Sequence, residues 1–243
     1  MIQTPPHMQA VILAGGKGVR MGKLTADMPK PMLKVNGKNL LQHKIDLLPR
    51  EIDEVILVVN YKSEVIKKFF GESYGGRKIT YVEQGEPHGT AHALFKSAPL
   101  ITGDFVSMFG DDIYPESAII EVIKYPWALT AYRAKSIPTA FRIEVGENGY
   151  MKDAIADDKG IMGEMLLDVG LYKMKPEIFT AKKVLVSTSQ EEGLPHTFYA
   201  FVKDKQIEVK VVIAESWYKI NTPEDLAMTE AAMLSRAQHP SNI

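Results

Sequence analysis

The chain has 243 residues, of which 45% are hydrophobic and 24% are charged, and its formal net charge is −1. These values are typical of a globular protein with a sizeable core, and the balanced charge argues against nucleic acid as a partner. The absence of cysteine excludes disulfides and thiolate metal sites, and no apolar run approaches the ~20 residues that a membrane helix needs.

Short runs rich in valine and isoleucine alternate with amphipathic segments over the first half of the chain. This pattern predicts strands at 9–14, 54–60, 78–84 and 104–110, and helices at 40–49, 63–70, 90–98 and 116–124. Ser63 is expected to cap the second helix. The alternation predicts a mostly parallel sheet with helices on both faces, which is a three-layer α/β/α Rossmann-like fold.

The pattern changes after Pro126, where several strand-like runs follow one another. We expect antiparallel or mixed strands that join the same sheet. A last strand is predicted at 207–214, and a last helix at 223–237 with Thr222 as its cap. Because no linker or repeat divides the chain, a single domain is expected over 1–243.

The first strand runs into a glycine-rich loop, "VILAGGKGVRMGKL". The G-x-G-x-x-G dinucleotide fingerprint fails because its third glycine comes one residue late. The Walker loop fails because Leu24 stands where a metal-binding hydroxyl is required. Several backbone N–H groups of such a loop converge on anions, and the fork of Arg20 suits phosphate oxygens. A plain strand-to-helix turn with solvated cations is the alternative.

A second feature follows at "PKP", where Pro29 and Pro31 hold the backbone on either side of Lys30 and present it rigidly. The whole stretch "LAGGKGVRMGKLTADMPKPMLKVNGKNLLQH" resembles the signature of sugar-1-phosphate nucleotidylyltransferases. That signature usually reads L-A-G-G-x-G-T-R-L-x-P-L-T-x-x-x-P-K-P-L. Val19 and Gly22 depart from it, but neither departure removes a charged group.

The resemblance implies a fold of the nucleotide-diphospho-sugar transferase type. Its nucleotide-binding half would lie at about 8–125 and its acceptor-binding half at about 126–243, with an NTP and a sugar 1-phosphate as substrates. Arg20 and Lys30 would be the catalytic residues. The phosphate loop would bind the nucleotide through Leu13, Ala14, Gly15, Gly16 and Gly18.

The stretch "VEQGEPHGTAHAL" resembles the base-binding segment of the same family. It implies that Gln84, Gly89 and Thr90 bind the nucleotide. The Gln84 amide has one acceptor and two donors, so it suits uracil or thymine, while guanine and cytosine remain open. The resemblance favours UTP or dTTP.

A third stretch, "FVSMFGDDIY", ends a strand with two aspartates. Ligands of open α/β sheets lie beyond the carboxyl ends of strands, and Mg²⁺ takes one or two carboxylates there with phosphate oxygens. The resemblance assigns Mg²⁺ to Asp111 and leaves Asp112 beside the metal or exposed. The family's later aspartate is replaced by Lys219 in "WYKINTPEDL", so Asn221 is expected to be the second ligand.

The acceptor site gives the weakest sequence signal. By resemblance, Asp158, Lys159, Asp168 and Gly170 would bind the sugar phosphate, although ordinary turn chemistry explains them equally well. The acceptor would then be a sugar 1-phosphate or another phosphorylated alcohol such as phosphocholine. A non-catalytic nucleotide-sugar-binding regulatory protein is the alternative from a different class.

Partners other than these small molecules leave no mark on the sequence. Neither nucleic acid nor a membrane is expected, and a homo-oligomer is compatible with the sequence. No secretion signal is recognised at the N terminus, so a cytoplasmic location is expected.

Overall fold

The structure is a computed structural model that describes residues 8–137, 140–157 and 161–238. Strands of the first half are β1 (Met8–Leu13), β2 (Lys34–Val35), β3 (Lys38–Asn39), β4 (Ile52–Val59), β5 (Ser73–Tyr74), β6 (Arg77–Glu83), β7 (Phe105–Phe109) and β8 (Asp112–Ile113). Its helices are α1 (Leu40–Asp46), α2 (Ser63–Phe70), α3 (Thr90–Lys96) and α4 (Glu116–Val122). Short 3₁₀ turns span Val19–Thr25, Lys30–Met32 and Ala98–Leu100.

The second half is richer in long strands. They are β9 (Ala128–Ile137), β10 (Ala140–Val145), β11 (Met151–Asp157), β12 (Ile161–Met174), β13 (Lys210–Ala214) and β14 (Tyr218–Lys219). The helices are α5 (Leu194–Asp204) and α6 (Pro223–Gln238), with a 3₁₀ turn at Pro176–Thr180. None of the described helices combines the length and the apolar character that crossing a bilayer requires.

One large sheet joins both halves. Its strand order is β11-β10-β12-β7-β1-β4-β6-β5, and β9 extends it from β12 and carries β13. Strands β7, β1, β4 and β6 are mutually parallel, whereas β12 pairs antiparallel with β7, β9 and β10. The predicted change from parallel to antiparallel strands is therefore confirmed.

Burial on both faces of the sheet explains the three layers. In β1, Ala10 and Ile12 pack into one cluster with α1, α2 and α4, while Val11 packs into another with α3 and α5. Successive side chains of a strand point to opposite faces, so a strand covered on both sides must be apolar at every position. The predicted three-layer α/β/α arrangement with a mixed, mostly parallel central sheet is confirmed.

Two predicted helix caps have different outcomes. The Asp225 N–H donates to the Thr222 hydroxyl at 3.2 Å, so Thr222 caps α6 as predicted. The prediction for Ser63 is wrong because Lys62 is the N-cap of α2, with a φ of 50°. The Ser63 hydroxyl donates instead to the Glu83 carboxylate at 2.9 Å, and a hydrogen bond to an ionised acceptor is stronger than one to a neutral group.

Candidate functional site

The parallel strands β1, β4, β6 and β7 end at the same edge of the sheet, and the candidate site lies there. The glycine loop that follows β1 closes tightly on its neighbours. Gly18 has a φ of 65°, and a Cβ built on it would lie 2.8 Å from the Lys30 Cβ. A Cβ on Gly15 would lie 2.5 Å from the Gln84 Oε1. Gly18 is thus required by close approach and by its left-handed backbone, whereas a Cβ on Gly15 would displace the end of the Gln84 side chain.

Lys30 lies at the centre of the site. Pro29 and Pro31 flank it as predicted, and its side chain is only 8% exposed. Its ammonium donates to Asp111 Oδ2 at 2.6 Å and to Asn221 Oδ1 at 3.1 Å. A buried ammonium needs such oxygen partners to offset its desolvation.

Arg20 approaches the same point from the exposed end of the glycine loop. Its Nη2 donates to Asn221 Oδ1 at 2.9 Å, so this amide oxygen accepts from both Arg20 and Lys30. The structure therefore brings together both predicted catalytic cations and both predicted metal ligands, although they are far apart in sequence.

The oxygens of Asp111 and Asn221 suit a divalent cation. Asp111 Oδ2 and Asn221 Oδ1 both accept from the Lys30 ammonium, so the two oxygens already surround one positive charge. The Asp111 side chain is 36% exposed, so substrate oxygens have access to it. Among the described residues no group of three or more histidines and carboxylates forms a preformed metal cage. Mg²⁺ does not need one, because it is usually held by one or two protein ligands together with substrate phosphates.

A cavity of about 570 Å³ opens over the glycine loop and runs to Asp111. Most of the predicted nucleotide-binding residues line it, namely Leu13, Gly15, Gly16, Gln84, Gly89 and Thr90. Two do not: Ala14 is buried beneath the loop, and Gly18 packs on Lys30.

The predicted base-binding segment also lines this cavity, where Gln84 lies beside Gly15. Gln84 is 6% exposed, and its amide nitrogen is 3.4 Å from the Gly89 carbonyl oxygen. Gly89 has a φ of 114°, and a Cβ on it would meet the Glu192 carbonyl oxygen at 2.4 Å. The structure thus gives Gly89 a second reason to be glycine, namely contact with the chain that precedes α5.

Several residues of this cavity were not among the predicted site residues, and they include Asn60, Phe109 and Glu191. Asn60 directly follows β4, so the rule that ligands lie beyond strand ends would have found it. Its amide donates to the Gly85 carbonyl at 2.9 Å. No local pattern marks Glu191, which reaches the cavity only through the tertiary fold.

A second cavity, of about 240 Å³, adjoins the first. The two share Thr90, Phe109 and Asp111. The smaller one is otherwise lined mainly by side chains, namely Arg20, Asp112, Asp168, Val169, Trp217, Lys219 and Asn221. Asp111 thus lies at the boundary between the larger, glycine-rich cavity and the smaller, side-chain-walled cavity.

Asp168 lines the smaller cavity as predicted, but its carboxylate is already engaged. It accepts from the Gly170 N–H at 2.9 Å, from Tyr172 at 2.5 Å and from Tyr199 at 2.8 Å. Burial raises the pKa of Asp168, against the opposite effect of these hydrogen bonds. Few of its acceptor positions remain for a ligand.

Gly170 does not form the wall of this cavity. It has a φ of 79°, and a Cβ on it would overlap the Phe109 ring at 2.1 Å. The glycine therefore allows Phe109 to lie at the boundary of the two cavities. The other two predicted acceptor-binding residues, Asp158 and Lys159, lie outside the described residues.

Behind the site lie two buried ionisable side chains, Asp112 and Lys44. Asp112 was expected to lie beside the metal or to be exposed, and the second alternative is wrong, because it is 3% exposed and pairs through β8 with β14. Burial, followed by the charge of Asp111, raises the pKa of Asp112 to about 8. Burial lowers the pKa of Lys44 to about 8, and its ammonium donates to the Gly110 carbonyl at 3.1 Å. Lys44 thus anchors the turn that presents Asp111.

Comparisons with known proteins agree with this geometry. The family model for nucleotidyl transferases matches residues 9–236. The bifunctional protein GlmU of Methanocaldococcus jannaschii is 28% identical over 230 residues, which are 94% of this chain and 55% of GlmU. The UTP–glucose-1-phosphate uridylyltransferase AglF of Haloferax volcanii is 33% identical over 199 residues, which are 76% of this chain and 79% of AglF.

Among solved structures, the inositol-1-phosphate CTP transferase of T. maritima has the same fold. Its TM-score is 0.72 at 21% identity, over 97% of this chain and 98% of that one. The chain spans about half the length of the GlmU proteins that it matches. The extent of the family match and the identity with AglF establish that the chain belongs to the nucleotidyl transferase family, the sugar-1-phosphate nucleotidylyltransferases that its phosphate loop resembles.

Proposed function

We propose that this protein transfers a nucleotidyl group from an NTP to a sugar 1-phosphate and releases pyrophosphate. The observation that carries the proposal is the meeting of two cavities at Asp111, where Lys30, Arg20 and Asn221 converge. A reaction between two phosphorylated substrates needs two adjoining sites and a concentration of positive charge between them. In this proposal a single domain provides both, with its nucleotide-binding half at about 8–125 and its acceptor-binding half at about 126–243.

The larger cavity would hold the nucleotide. Its glycine loop offers backbone N–H groups to the phosphates, and no protein atom lies within 4 Å of a Cβ built on Gly16, so a phosphate has room to approach there. Gln84, which lines the same cavity beside Gly15, would pair with the base. We propose UTP or dTTP as the donor, in keeping with the resemblance and with the uridylyltransferase AglF.

The smaller cavity would hold the acceptor, with its phosphate towards Asp111. An oxygen of this phosphate attacks the α-phosphorus and forms a new P–O bond. The bond between the α-phosphorus and the bridging oxygen breaks, and its electron pair leaves with pyrophosphate. The attacking oxygen is already an anion, so no general base is required.

The chain's contribution is to position two mutually repelling anions and to offset their charge. Lys30 would contact the phosphate at the reacting centre, and Arg20 would stabilise the leaving pyrophosphate. Asp111 and Asn221 would hold Mg²⁺, which when bound supplies Lewis-acid stabilisation of the phosphate oxygens. Since Lys30 occupies these two oxygens in the structure, its ammonium must turn towards the phosphates when substrates bind.

The test is pyrophosphate release by the purified chain with Mg²⁺, each of the NTPs and dTTP, and a panel of phosphorylated acceptors. We expect release with a sugar 1-phosphate and with UTP or dTTP. Lys30→Met should lower the rate about 100- to 1000-fold, as is typical for the loss of one such electrostatic contact. Lys34→Met is the matched control, because Lys34 is an exposed lysine of β2 outside both cavities.

Each outcome decides between the alternatives. Release with phosphocholine or a polyol phosphate, but with no sugar 1-phosphate, would replace the acceptor proposed here while keeping the reaction. No release with any pair, together with tight binding of a nucleotide sugar, would favour the regulatory protein. Full activity of Lys30→Met would refute the assignment of the catalytic centre.

A further inference from the structure

Lys219 is the cation of the smaller cavity that the proposed function has not used. It belongs to β14, which pairs antiparallel with β8 so that Lys219 lies opposite Asp112. Its side chain is exposed and lines the same cavity as Arg20, Asp111 and Asn221. Its ammonium lies over the Trp217 ring, 5.8 Å from the centroid. The family resemblance predicts an aspartate here, so this chain replaces a negative charge by a positive one.

The charge of Lys219 acts on the nearby carboxyl groups of Asp112 and Asp168, but none of the described carboxylates forms an ion pair with it. Among the described residues Lys219 has no ion pair, whereas Lys30 is paired with Asp111 at 2.6 Å and Lys173 with Asp104 at 2.6 Å. The carboxylate of Asp168, in the same cavity, is bound by two tyrosines and a backbone N–H. An unpaired ammonium at the wall of a cavity is available to a ligand anion.

The small size of the cavity brings any bound acceptor close to Lys219. The cavity has a volume of about 240 Å³ and both Asp111 and Lys219 line it, so an acceptor phosphate near Asp111 is also near Lys219. A lysine head moves on a flexible four-carbon stem and offers three donors, so it follows a phosphate through the reaction better than a fixed fork does.

The position of Lys219 also disfavours one acceptor class. A quaternary ammonium group is recognised on the face of an aromatic ring, and two rings line this cavity: Trp217, and Phe109 at its boundary with the larger cavity. Lys219 already places a positive charge over the Trp217 ring, so a choline head would meet like charge there. A phosphorylated sugar or polyol, whose sugar or polyol part is uncharged, meets no such repulsion.

On the basis of the function proposed above, we propose that Lys219 binds the phosphate of the acceptor and selects against acceptors with a cationic head. The residue replaces a metal-ligating carboxylate of the family by a direct cationic contact to the substrate. The acceptor class is therefore a phosphorylated sugar or polyol that carries no positive charge.

The test compares Lys219→Met, which keeps the length and removes the charge, with Lys219→Arg, which keeps the charge. The probe is glucose 1-phosphate, or whichever sugar 1-phosphate the acceptor panel shows to react faster. We expect Lys219→Met to raise the KM for this acceptor about 10- to 100-fold, as expected for the loss of a charge-assisted hydrogen bond. The KM for the NTP should change less than about twofold, and Lys219→Arg should restore most of the loss.

Lys68→Met, an exposed lysine on α2 remote from both cavities, serves as the matched control and should behave as the wild type. Lys219→Glu should also raise the ratio of kcat/KM for phosphocholine to that for the sugar 1-phosphate. An acceptor KM within twofold of the wild-type value in Lys219→Met would overturn the inference. A wild-type protein that releases no pyrophosphate with any pair would refute the proposed function instead, so the two failures are distinct.

Discussion

The two cavities that meet at Asp111 differ in the material of their walls. The larger has glycines along its wall, among them Gly15 and Gly89, where an added Cβ would meet the Gln84 side chain and the Glu192 backbone. The smaller is bounded by side chains such as Trp217, Lys219 and Asp168. Backbone N–H groups are the same in every sequence, whereas side chains change by single substitutions. The larger cavity therefore suits the part of the reaction that does not vary, and the smaller one suits specificity.

The electrostatics of the two cavities differ in the same sense. In the larger cavity the buried cation Lys30 is paired with Asp111 before substrate binds. In the smaller cavity Lys219 is unpaired among the described residues, and Asp168 is enclosed by tyrosines. Substitutions in the first cavity should thus affect nucleotide binding, those in the second should affect acceptor binding, and those at the boundary should affect turnover.

The largest effect is expected at the boundary. Asp111→Asn removes the carboxylate that Lys30 contacts and that would hold Mg²⁺, so we expect kcat to fall about 100- to 1000-fold. The unfolding temperature should fall as well, because the buried Lys30 ammonium loses its charged partner, but the amide oxygen of the asparagine can still accept from it and limits the loss. Asp204→Asn, at the exposed end of α5, is the control for pyrophosphate release and thermal unfolding. A change confined to one substrate's KM would show that Asp111 belongs to one cavity alone.

Gly15→Ala tests the larger, glycine-rich cavity. Its Cβ would meet the Gln84 Oε1 at 2.5 Å, and relief of that contact displaces the amide that would read the base. Overpacking of this kind typically costs about 1–3 kcal/mol, so a roughly tenfold rise in the KM for UTP is expected. The acceptor KM should not change. Gly16→Ala is the stability control, since its Cβ meets no protein atom within 4 Å and should leave the unfolding temperature unchanged.

Tyr61→Phe should have a smaller effect on the same cavity. The Tyr61 hydroxyl donates to the Thr25 carbonyl at 3.1 Å and the Ala26 carbonyl at 3.0 Å, and so ties down the loop that carries Arg20. Its loss should cost about 1 kcal/mol of stability and raise the KM for UTP a few-fold.

Tyr81→Phe is the matched comparison, because its hydroxyl donates to the Gly71 carbonyl, away from the site. It should show a similar loss of stability and an unchanged KM. Equal kinetic constants in both variants would mean that the loop keeps its geometry without Tyr61.

The smallest effect is expected from Asp168, in the side-chain-walled cavity, and it depends on pH. Burial raises its pKa above the ordinary value of 3.8, against hydrogen bonds from Tyr172, Gly170 and Tyr199 and the charge of Lys219. The folded state therefore binds the proton more tightly than the unfolded state. Its contribution to stability is complete below pH 3.8 and is lost as the pH rises through the raised pKa.

Asp168→Asn removes this titration. We expect the free energy of unfolding of the wild type, relative to that of Asp168→Asn, to fall as the pH rises from 4 to 8 in chemical denaturation. A difference that increases with pH would contradict the assigned direction of the pKa shift.

Local pattern was sufficient for much of the fold. Strand alternation and the β-α order predicted the parallel strands β1, β4, β6 and β7, because a doubly covered strand must be apolar throughout. The predicted cap at Ser63 is wrong because α2 begins at Ser63 with Lys62 as its N-cap, and the Ser63 hydroxyl donates to the distant Glu83. Asp112 was expected to lie beside the metal or to be exposed, and it is not exposed because β14, remote in sequence, pairs with β8 and covers it.

The sequence by itself determined the phosphate loop, the proline-flanked Lys30 and the aspartate after β7, because each depends on neighbours within a few residues. Only the tertiary structure decided that Asn221 joins Arg20 and Lys30, which lie 201 and 191 residues away, and that Lys219 lines the smaller cavity. The reason is physical: a turn is set by local backbone sterics, whereas a cavity wall depends on the register and packing of strands that are remote in sequence.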